Sequence, residues 1–535
     1  MDYSTEPRGI YLMVDNKSFY ATVECVVRGL DPLTTPLVVM SEAANVGQGL
    51  ILSSSPAAKR LFGLHNVNRA RDLPVDERLL VVPPRMNLYL AKNLAINEIF
   101  REFVADEDLL PYSIDESLLN LTHSWRLKSD NLLTVVRQLQ TEIKQRLQLV
   151  VTIGVGNNPL QAKLALDIYA KHSPVGIGII TNHTAPVRLW AIPELTMVWG
   201  INTHLAQRLQ RLGLHNLKQV AHADPYQLKA ALGQTGARLY ATAWGVDRTT
   251  LSRRPLRRAQ SIGNSQVLPR DYVKPQAIKV VIAEITAQVA TRLRARHKQA
   301  GGVRLQIGYA FGTVDQAGRA GFAHAQHLSA LTADERKLTR VLQALFDQYW
   351  TGQPVRHVAI AVTHLSPAQG EQLDLFATKA ETLALDVAQT VDQIRQRFGK
   401  TAIMKASSLT TGATFWPAPS RWEAITGGRA LNDQTCQKLG RQLCQRLTPY
   451  FKRRVQTRYW LVVVWAAPDQ AYHFFFNARR PRAWQRSWPL GSLPSTSLEE
   501  LIVVLTAVRA QYHFTIEYRQ FSPGDRQRLQ HEVPA

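Results

Sequence analysis

From Ile10 the chain runs Ile-Tyr-Leu-Met-Val without a charged residue and stops on Asp15, the pattern of a buried strand with an acid at its end. A helix is predicted over 18–28, a strand over 36–40, and a helix in the later part of 54–62. A further helix over 88–103 leads to a strand pair around Asp115, where Leu118, Asn120 and Thr122 alternate with Leu119 and Leu121. A helix over 131–147 then precedes an apolar strand over 150–155. The first 180 residues therefore predict a mixed sheet covered by helices, with acids on neighbouring strand ends. Beyond Leu195 the texture changes to short helices punctuated by Gly200, Gly213, Gly233 and Gly236. The run Arg253-Arg254-Pro255-Leu256-Arg257-Arg258 reads as an exposed basic linker. After it, strand 261–268, helix 275–298, strands 303–311 and 321–328, helix 333–348 and strand 355–364 give the order βαββαβ, which implies a compact α+β sandwich. A helix over 380–398 follows. The last hundred residues read as a separate unit: a hairpin over 459–476 turning at Pro468-Asp469, a basic loop, a helix over 498–511 and a strand over 514–518. The fold class is α+β, in several domains.

Length and charge narrow the partners. A chain of 535 residues is expected to divide into three to five domains. Its net charge of +23 attracts a polyanion over long range, and nucleic acid is the first candidate. An anionic membrane competes, but no window approaches the ~20 apolar residues of a span, and Met1-Asp2-Tyr3-Ser4-Thr5-Glu6 does not have the form of a signal peptide. A soluble, intracellular protein is expected. Cys25, Cys436 and Cys444 form no CxxC pair, so they are expected to be small buried hydrophobes rather than a disulfide framework or zinc site.

Chemistry enters at Ser113-Ile114-Asp115-Glu116-Ser117. Two adjacent carboxylates at a strand end repel unless a cation lies between them, and Asp15 waits at the end of a second strand. Three acids from two strand ends are what a pair of Mg²⁺ ions over a nucleoside triphosphate requires: hard oxygen ligands with positions left for phosphate and water. The helix starting near Ser18 would turn unpaired N–H groups toward the same edge, a natural phosphate cradle. Side chains lean toward a helix N-terminus, so Tyr20 could stand beside a sugar; Phe19 and Tyr20 as simple core aromatics is the competing assignment.

Asp15 to Glu24 (DNKSFYATVE), Ser113 to Ser117 (SIDES) and Val151 to Lys163 (VTIGVGNNPLQAK) resemble, in order and spacing, the catalytic core of Y-family DNA polymerases, and within them the UmuC branch of bacterial lesion-bypass enzymes. The resemblance continues through Val198 to Leu217 as a helix-hairpin-helix thumb and through Ser261 to Ser265 as the start of a little finger, to about Gly428. It implies a palm and fingers core over 1–190, a thumb over 191–250, the basic linker over 251–260, a little finger over 261–366, a clamp-binding and helical segment over 367–430, and an accessory α/β domain over 431–535. It further implies that Asp15, Asp115, Glu116 and the backbone carbonyl of Asn16 bind two Mg²⁺ ions, with the three acids catalytic. Tyr20 becomes the steric gate against a ribose 2′-hydroxyl. Phe19, Ser54, Arg60 and Lys163 join Tyr20 around the nucleotide. Pro159 stands where many members carry a lysine toward the triphosphate, and Ala57 where an aromatic is common.

For DNA, Gly200 and Asn202 flank the thumb hairpin. Asn202 replaces a second glycine and is expected in the left-handed conformation. Arg253, Arg254, Arg257 and Arg258 would straddle the duplex backbone, with Arg270, Arg292, Arg294 and Arg296 adding phosphate contacts. Gln372-Leu373-Asp374-Leu375-Phe376 resembles the peptide by which bacterial polymerases grip the sliding clamp. Arg479, Arg480, Arg482, Trp484, Arg486 and Trp488 interleave cations with aromatics, a composition that suits single-stranded DNA but equally a small core edge with solvated arginines, or a surface for a partner protein. The implied activity is error-prone DNA synthesis opposite damaged template in DNA repair and SOS mutagenesis, by a cytoplasmic, nucleoid-associated enzyme. Its partners would be primer-template DNA, dNTP, the sliding clamp and SOS accessory proteins. The alternative is a catalytically weak DNA- and clamp-binding factor that regulates polymerase access, motivated by Pro159.

Overall fold

The computed structural model describes residues 2–41, 49–251, 261–368, 379–398, 402–410, 412–414, 433–451, 456–481 and 483–533. The basic linker arginines 253, 254, 257 and 258, the 372–376 motif and Arg482 lie outside them. The first unit contains β1 (Tyr11–Asn16), α1 (Phe19–Val27), β2 (Leu37–Met40), β3 (Ile51–Ser54), α2 (Pro56–Phe62), β4 (Leu80–Val82), α3 (Met86–Arg101), β5 (Leu109–Pro111), β6 (Glu116–Asn120), α4 (Leu132–Leu147), β7 (Val151–Gly156), α5 (Pro159–Leu164) and β8 (Ile177–Ile180). Its main sheet has the order β5-β6-β1-β7-β8. Strand β1 lies at its centre, antiparallel to β6 and β7, with Asp15 opposite Glu116 on one side and Thr152 on the other. The alternation expected around 118–122 is therefore a real strand beside β1.

Two glycines explain the VTIGVG string. A Cβ on Gly154 would lie 2.1 Å from the Ala162 carbonyl oxygen and 2.2 Å from the Leu166 nitrogen, and one on Gly156 would lie 2.4 Å from the Ala162 nitrogen. The bare strand lets α5 and the turn after it press directly on β7, which brings Lys163 to the acid-bearing edge. Gly154→Ala is expected to cost about 3 kcal/mol of stability through this backbone collision. The loss would appear as a lower urea midpoint with an unchanged m value.

The next unit is helical: α6 (Ala185–Trp190), α7 (Thr203–Arg211), α8 (Leu217–His222), α9 (Pro225–Leu232) and α10 (Gln234–Ala243) pack around Leu189, Leu209, Val220 and Leu239. Then β9 (Ser261–Tyr272), α11 (Pro275–Ala295), β10 (Lys298–Tyr309), β11 (Gly321–Thr332), α12 (Glu335–Tyr349) and β12 (Val355–Pro367) follow the predicted βαββαβ order. They form an antiparallel sheet β11-β10-β12-β9 closed by the apolar faces of both helices. Helix α13 (Lys379–Phe398) comes next.

The C-terminal residues contain α14 (Asp433–Leu447), β13 (Arg458–Ala466), β14 (Ala471–Arg479), β15 (Gln485–Leu493), α15 (Leu498–Arg509), β16 (Thr515–Arg519) and α16 (Pro523–Glu532). They have their own core, centred on Phe474, Phe476, Leu501 and Leu505, but they do not stand apart as the sequence suggests. Strand β15 pairs in parallel with β4, Gln485 opposite Leu80 and Arg486 opposite Val81. One sheet of order β16-β13-β14-β15-β4-β2-β3 thus runs from the C-terminal unit into the segment that carries α2. Val462, Val464 and Phe475 join the core of the first unit. The region read as a basic loop contains β15, whose hydrogen bonds to β4 make this junction. All three cysteines are free and buried, as expected.

Candidate active site

Strand geometry assembles the acids. Asp15 is the penultimate residue of β1 and Glu116 opens β6 directly opposite it, while Asp115 lies one residue before that strand. The Asn16 backbone N–H and its side-chain amide both donate to the Asp115 carbonyl, at 2.9 and 3.0 Å, which pins the two strand ends together. The electrostatic debt of the acids is met by lysines. Lys163 Nζ lies 2.7 Å from Glu116 Oε1, and Lys171 Nζ lies 3.7 Å from Glu116 and 3.8 Å from Asp15. Asp167 bridges both, at 3.1 Å from Lys163 and 2.9 Å from Lys171. A wide turn with i→i+5 bonding over Ala165–Tyr169 presents Asp167 to the site, a local irregularity of the kind often found at functional sites. Burial pushes the Asp15 carboxyl up to about 7, with Lys171 opposing and Glu116 adding to the shift.

The donors fit a hard divalent cation. They are all oxygens, they come from adjacent strand ends, and Asn16 Oδ1 is buried without a hydrogen-bond partner. The Asp115 carboxylate instead accepts from Ser113 Oγ at 2.5 Å, and among the described residues no three acidic, His or Cys side chains already converge as ligands. Asp115 must rotate from Ser113, and the lysines must yield, for all three acids to share a cation.

The residues expected around the nucleotide lie on α1, α2 and the strand before α2. Ser18 precedes α1 in a left-handed conformation, φ 52°, so the chain turns sharply from the acids into the helix. Phe19 is buried, whereas Tyr20 is half-buried, its ring stacked on Tyr89 at 4.3 Å and 12°. Ser54 is buried with an unpartnered hydroxyl, and Ser53 Oγ instead donates to the Ser18 carbonyl at 3.3 Å. On α2, Arg60 is exposed, and it is Lys59 that reaches inward, donating to Ser18 Oγ at 3.1 Å. Burial lowers the Lys59 pKa, with Asp15 partly offsetting it. Lys163 engages Glu116 in this structure. Lys59, Asp167 and Lys171 are site residues that the sequence reading did not single out. Pro159 occupies the first turn of α5 behind its cap Asn158, a position that suits proline because no N–H is needed there.

In the helical unit Gly200 has φ 90°, as a glycine turn requires. Asn202 departs from expectation: it is extended, φ −84° and ψ 172°, and its side chain accepts from the Leu205 N–H as the cap of α7. Capping rather than left-handed geometry selects asparagine there. Arg294 does not face open solvent either, since it is paired at 2.7 Å with Asp392 of α13; Arg292 donates to the Gly263 carbonyl at 3.0 Å.

An acid-bearing palm sheet, a helical thumb and a βαββαβ module together define the Y-family polymerase architecture. The solved Y-family DNA polymerase chimera Dbh-Dpo4(243-245)-Dbh has this fold, at a TM-score of 0.53 over 67% of this chain and 99% of the chimera, with 19% identity. Residues 14–167 match the impB/mucB/samB family and residues 259–375 its C-terminal domain. The putative UV-damage repair protein UvrX of Bacillus subtilis (strain 168) is 33% identical over 415 residues, 77% of this chain and 97% of the relative. DNA polymerase IV 2 of the same organism is 30% identical, covering 75% and 95%, and DNA polymerase IV of Pelotomaculum thermopropionicum is 29% identical, covering 75% and 95%. The chain belongs to the impB/mucB/samB family of bacterial Y-family polymerases. About a quarter of it lies outside the match to these relatives. Among the described residues no helix is long and apolar enough to cross a membrane.

Proposed function

We propose that this DNA-directed DNA polymerase adds dNTPs to a primer 3′-end opposite damaged template. The observation that carries the reading is the meeting of Asp15, Asp115 and Glu116 at adjacent strand ends, beside the start of α1. In this reading Asp15, Asp115, Glu116 and the Asn16 carbonyl hold two Mg²⁺ ions. Bound there, the ions supply charge stabilisation for the primer hydroxyl and the departing pyrophosphate. The protein's own share is positioning. The first N–H groups of α1, that of Phe19 among them, receive triphosphate oxygens. Lys59 from α2 offers a cation to the same phosphates, with Arg60 and Ser54 flanking it. Tyr20, held flat on Tyr89, excludes a 2′-hydroxyl.

The names of the relatives, DNA polymerase IV and UV-damage repair protein, support synthesis in a damage context. Clamp binding rests on the sequence of Gln372 to Phe376, and an SOS-linked mutagenic role on the resemblance to the UmuC branch. Primer extension by the purified protein with Mg²⁺ and dNTPs tests the reading. Absence of extension on every primed template would leave the regulatory factor instead.

Tyr20→Ala is expected to raise ribonucleotide incorporation about tenfold or more relative to dNTP use, the scale on which a site discriminates small groups. Sugar selectivity equal to wild type would remove Tyr20 from the gate.

A further inference from the structure

The aromatic and basic residues of the C-terminal unit gather into one concave site. Strand alternation puts Trp484, Arg486 and Trp488 on one face of the β15 segment, while Gln485 and Ser487 turn to the other, where Ser487 Oγ meets Arg28 at 3.3 Å. Ser487 thus faces the first unit, while Trp484, Arg486 and Trp488 line a cavity of about 600 Å³, with Trp484 also packed against the Val38–Ile51–Val81 core of the first unit. Its walls include Tyr450, Tyr459, Arg479 and Arg480 as well, and the described residues lining it contain no carboxylate. The rings are held by one another: Trp488 stacks with Tyr450 at 5.1 Å and with Phe476 at 6.1 Å, and Tyr459 stacks on Phe476 at 5.6 Å. The Arg486 guanidinium lies 4.6 Å over Trp484, and Arg480 is exposed at the turn.

We propose that this cavity binds the single-stranded part of a primer-template, with unpaired bases stacking on the Tyr450–Trp488 pair and phosphates meeting Arg480 and Arg486. Rigid, half-buried rings interleaved with guanidinium groups are the recurring means of holding unpaired nucleic acid without reading its sequence. The charge argues the same way: Arg479, Arg480 and Arg486 line the cavity and no carboxylate does, Glu77 pairing with Arg479 at 3.1 Å from outside the lining, and in a chain of net charge +23 this favours a polyanion over a neutral apolar peptide. The β15–β4 pairing ties the site to the fingers, so the strand it holds belongs to the same DNA that the palm engages. The site is independent of nucleotidyl transfer, and binding can be read without dNTP or extension.

The test uses the full chain and fluorescence anisotropy on two labelled substrates, a blunt duplex and the same duplex with a long unpaired template tail. Arg480→Glu, an exposed change that leaves the core intact, is expected to weaken binding of the tailed substrate about tenfold and to lower its salt slope by about 1. Binding of the blunt duplex should stay at the wild-type value. Trp488→Leu should behave likewise, and photocrosslinks from 5-iodouracil in the tail should map to peptides spanning 450–488. Equal loss on both substrates, no loss on either, or crosslinks confined to the palm and little finger would overturn the proposal.

Discussion

Glu116→Ala is expected to reduce primer extension about a thousandfold or more, the equivalent of ~4 kcal/mol of barrier, while leaving the fold in place. The two halves of this expectation have different origins. Folding tolerates the change because Lys163, which loses Glu116 at 2.7 Å, keeps Asp167 at 3.1 Å. Lys171 likewise keeps Asp167 and the more distant Asp15. In the proposed reading activity does not tolerate it, because Glu116, directly opposite Asp15, is one of the three carboxylates that would hold the ions. Glu116→Gln separates a charge role from a structural one. The amide oxygen can still accept from Lys163, so a residue needed only to seat Lys163 would be rescued by glutamine. A residue needed to hold a divalent cation would not, since the amide carries no charge. Extension rates for the two variants, beside their thermal unfolding curves, decide the matter; near-wild-type extension by Glu116→Gln would sink the ligand assignment.

The acids were legible in the sequence because a carboxylate at a strand end breaks the hydrophobic pattern, and the fold brings these strand ends to one sheet edge. The βαββαβ module was legible because its strands and helices are long and strongly periodic. The lysine partners were not. Lys171 reaches Asp15 only because the wide turn at Ala165–Tyr169 shifts the helical phase, and no residue type in that stretch announces such a turn. Lys59 and Arg60 are neighbours of the same charge, and which of them faces Ser18 follows from how α2 packs, not from composition. The sheet junction was equally hidden: β4 is three residues long, and its pairing with β15 joins positions some four hundred residues apart. Helix α14 is marked in the sequence, since Cys436, Leu439, Leu443 and Leu447 recur at helical spacing, and all four are buried.

Glu24→Ala is expected to be the most destabilising single change in the first unit, by about 3–5 kcal/mol, because it strands two buried arginines. Glu24 is fully buried in α1. Arg85 grips it with two bonds of 2.8 and 2.6 Å, Arg28 pairs with it from one turn away, and Tyr89 donates its hydroxyl at 2.8 Å. The cluster extends across the sheet junction, where the Arg28 guanidinium lies 4.5 Å over the Phe475 ring and Arg519 donates to the Arg28 carbonyl at 3.3 Å. Nearby, Lys92 of α3 pairs at 3.1 Å with Asp469 in the turn between β13 and β14. Without the carboxylate, Arg28 and Arg85 face each other in a site that water cannot relax. Burial alone would raise the Glu24 carboxyl, but Arg85 and Arg28 outweigh it and hold it at about 2. A depressed folded-state pKa gives stability that is fully present above the unfolded value of 4.5 and is lost as pH falls from there toward about 2. Glu24→Gln, which keeps a hydrogen-bond acceptor for Tyr89 but no charge, should therefore be less stable than wild type at pH 7, and the gap should narrow steadily below pH 4.5. Urea midpoints for wild type and Glu24→Gln at pH 7 and pH 3 measure it, and a gap that stays constant with pH would mean that Glu24 is not the charge holding this cluster. Because Tyr89 also backs the ring of Tyr20, the same variants should lose part of their sugar selectivity. That would link the buried cluster, and through Phe475 the C-terminal unit, to the shape of the nucleotide site.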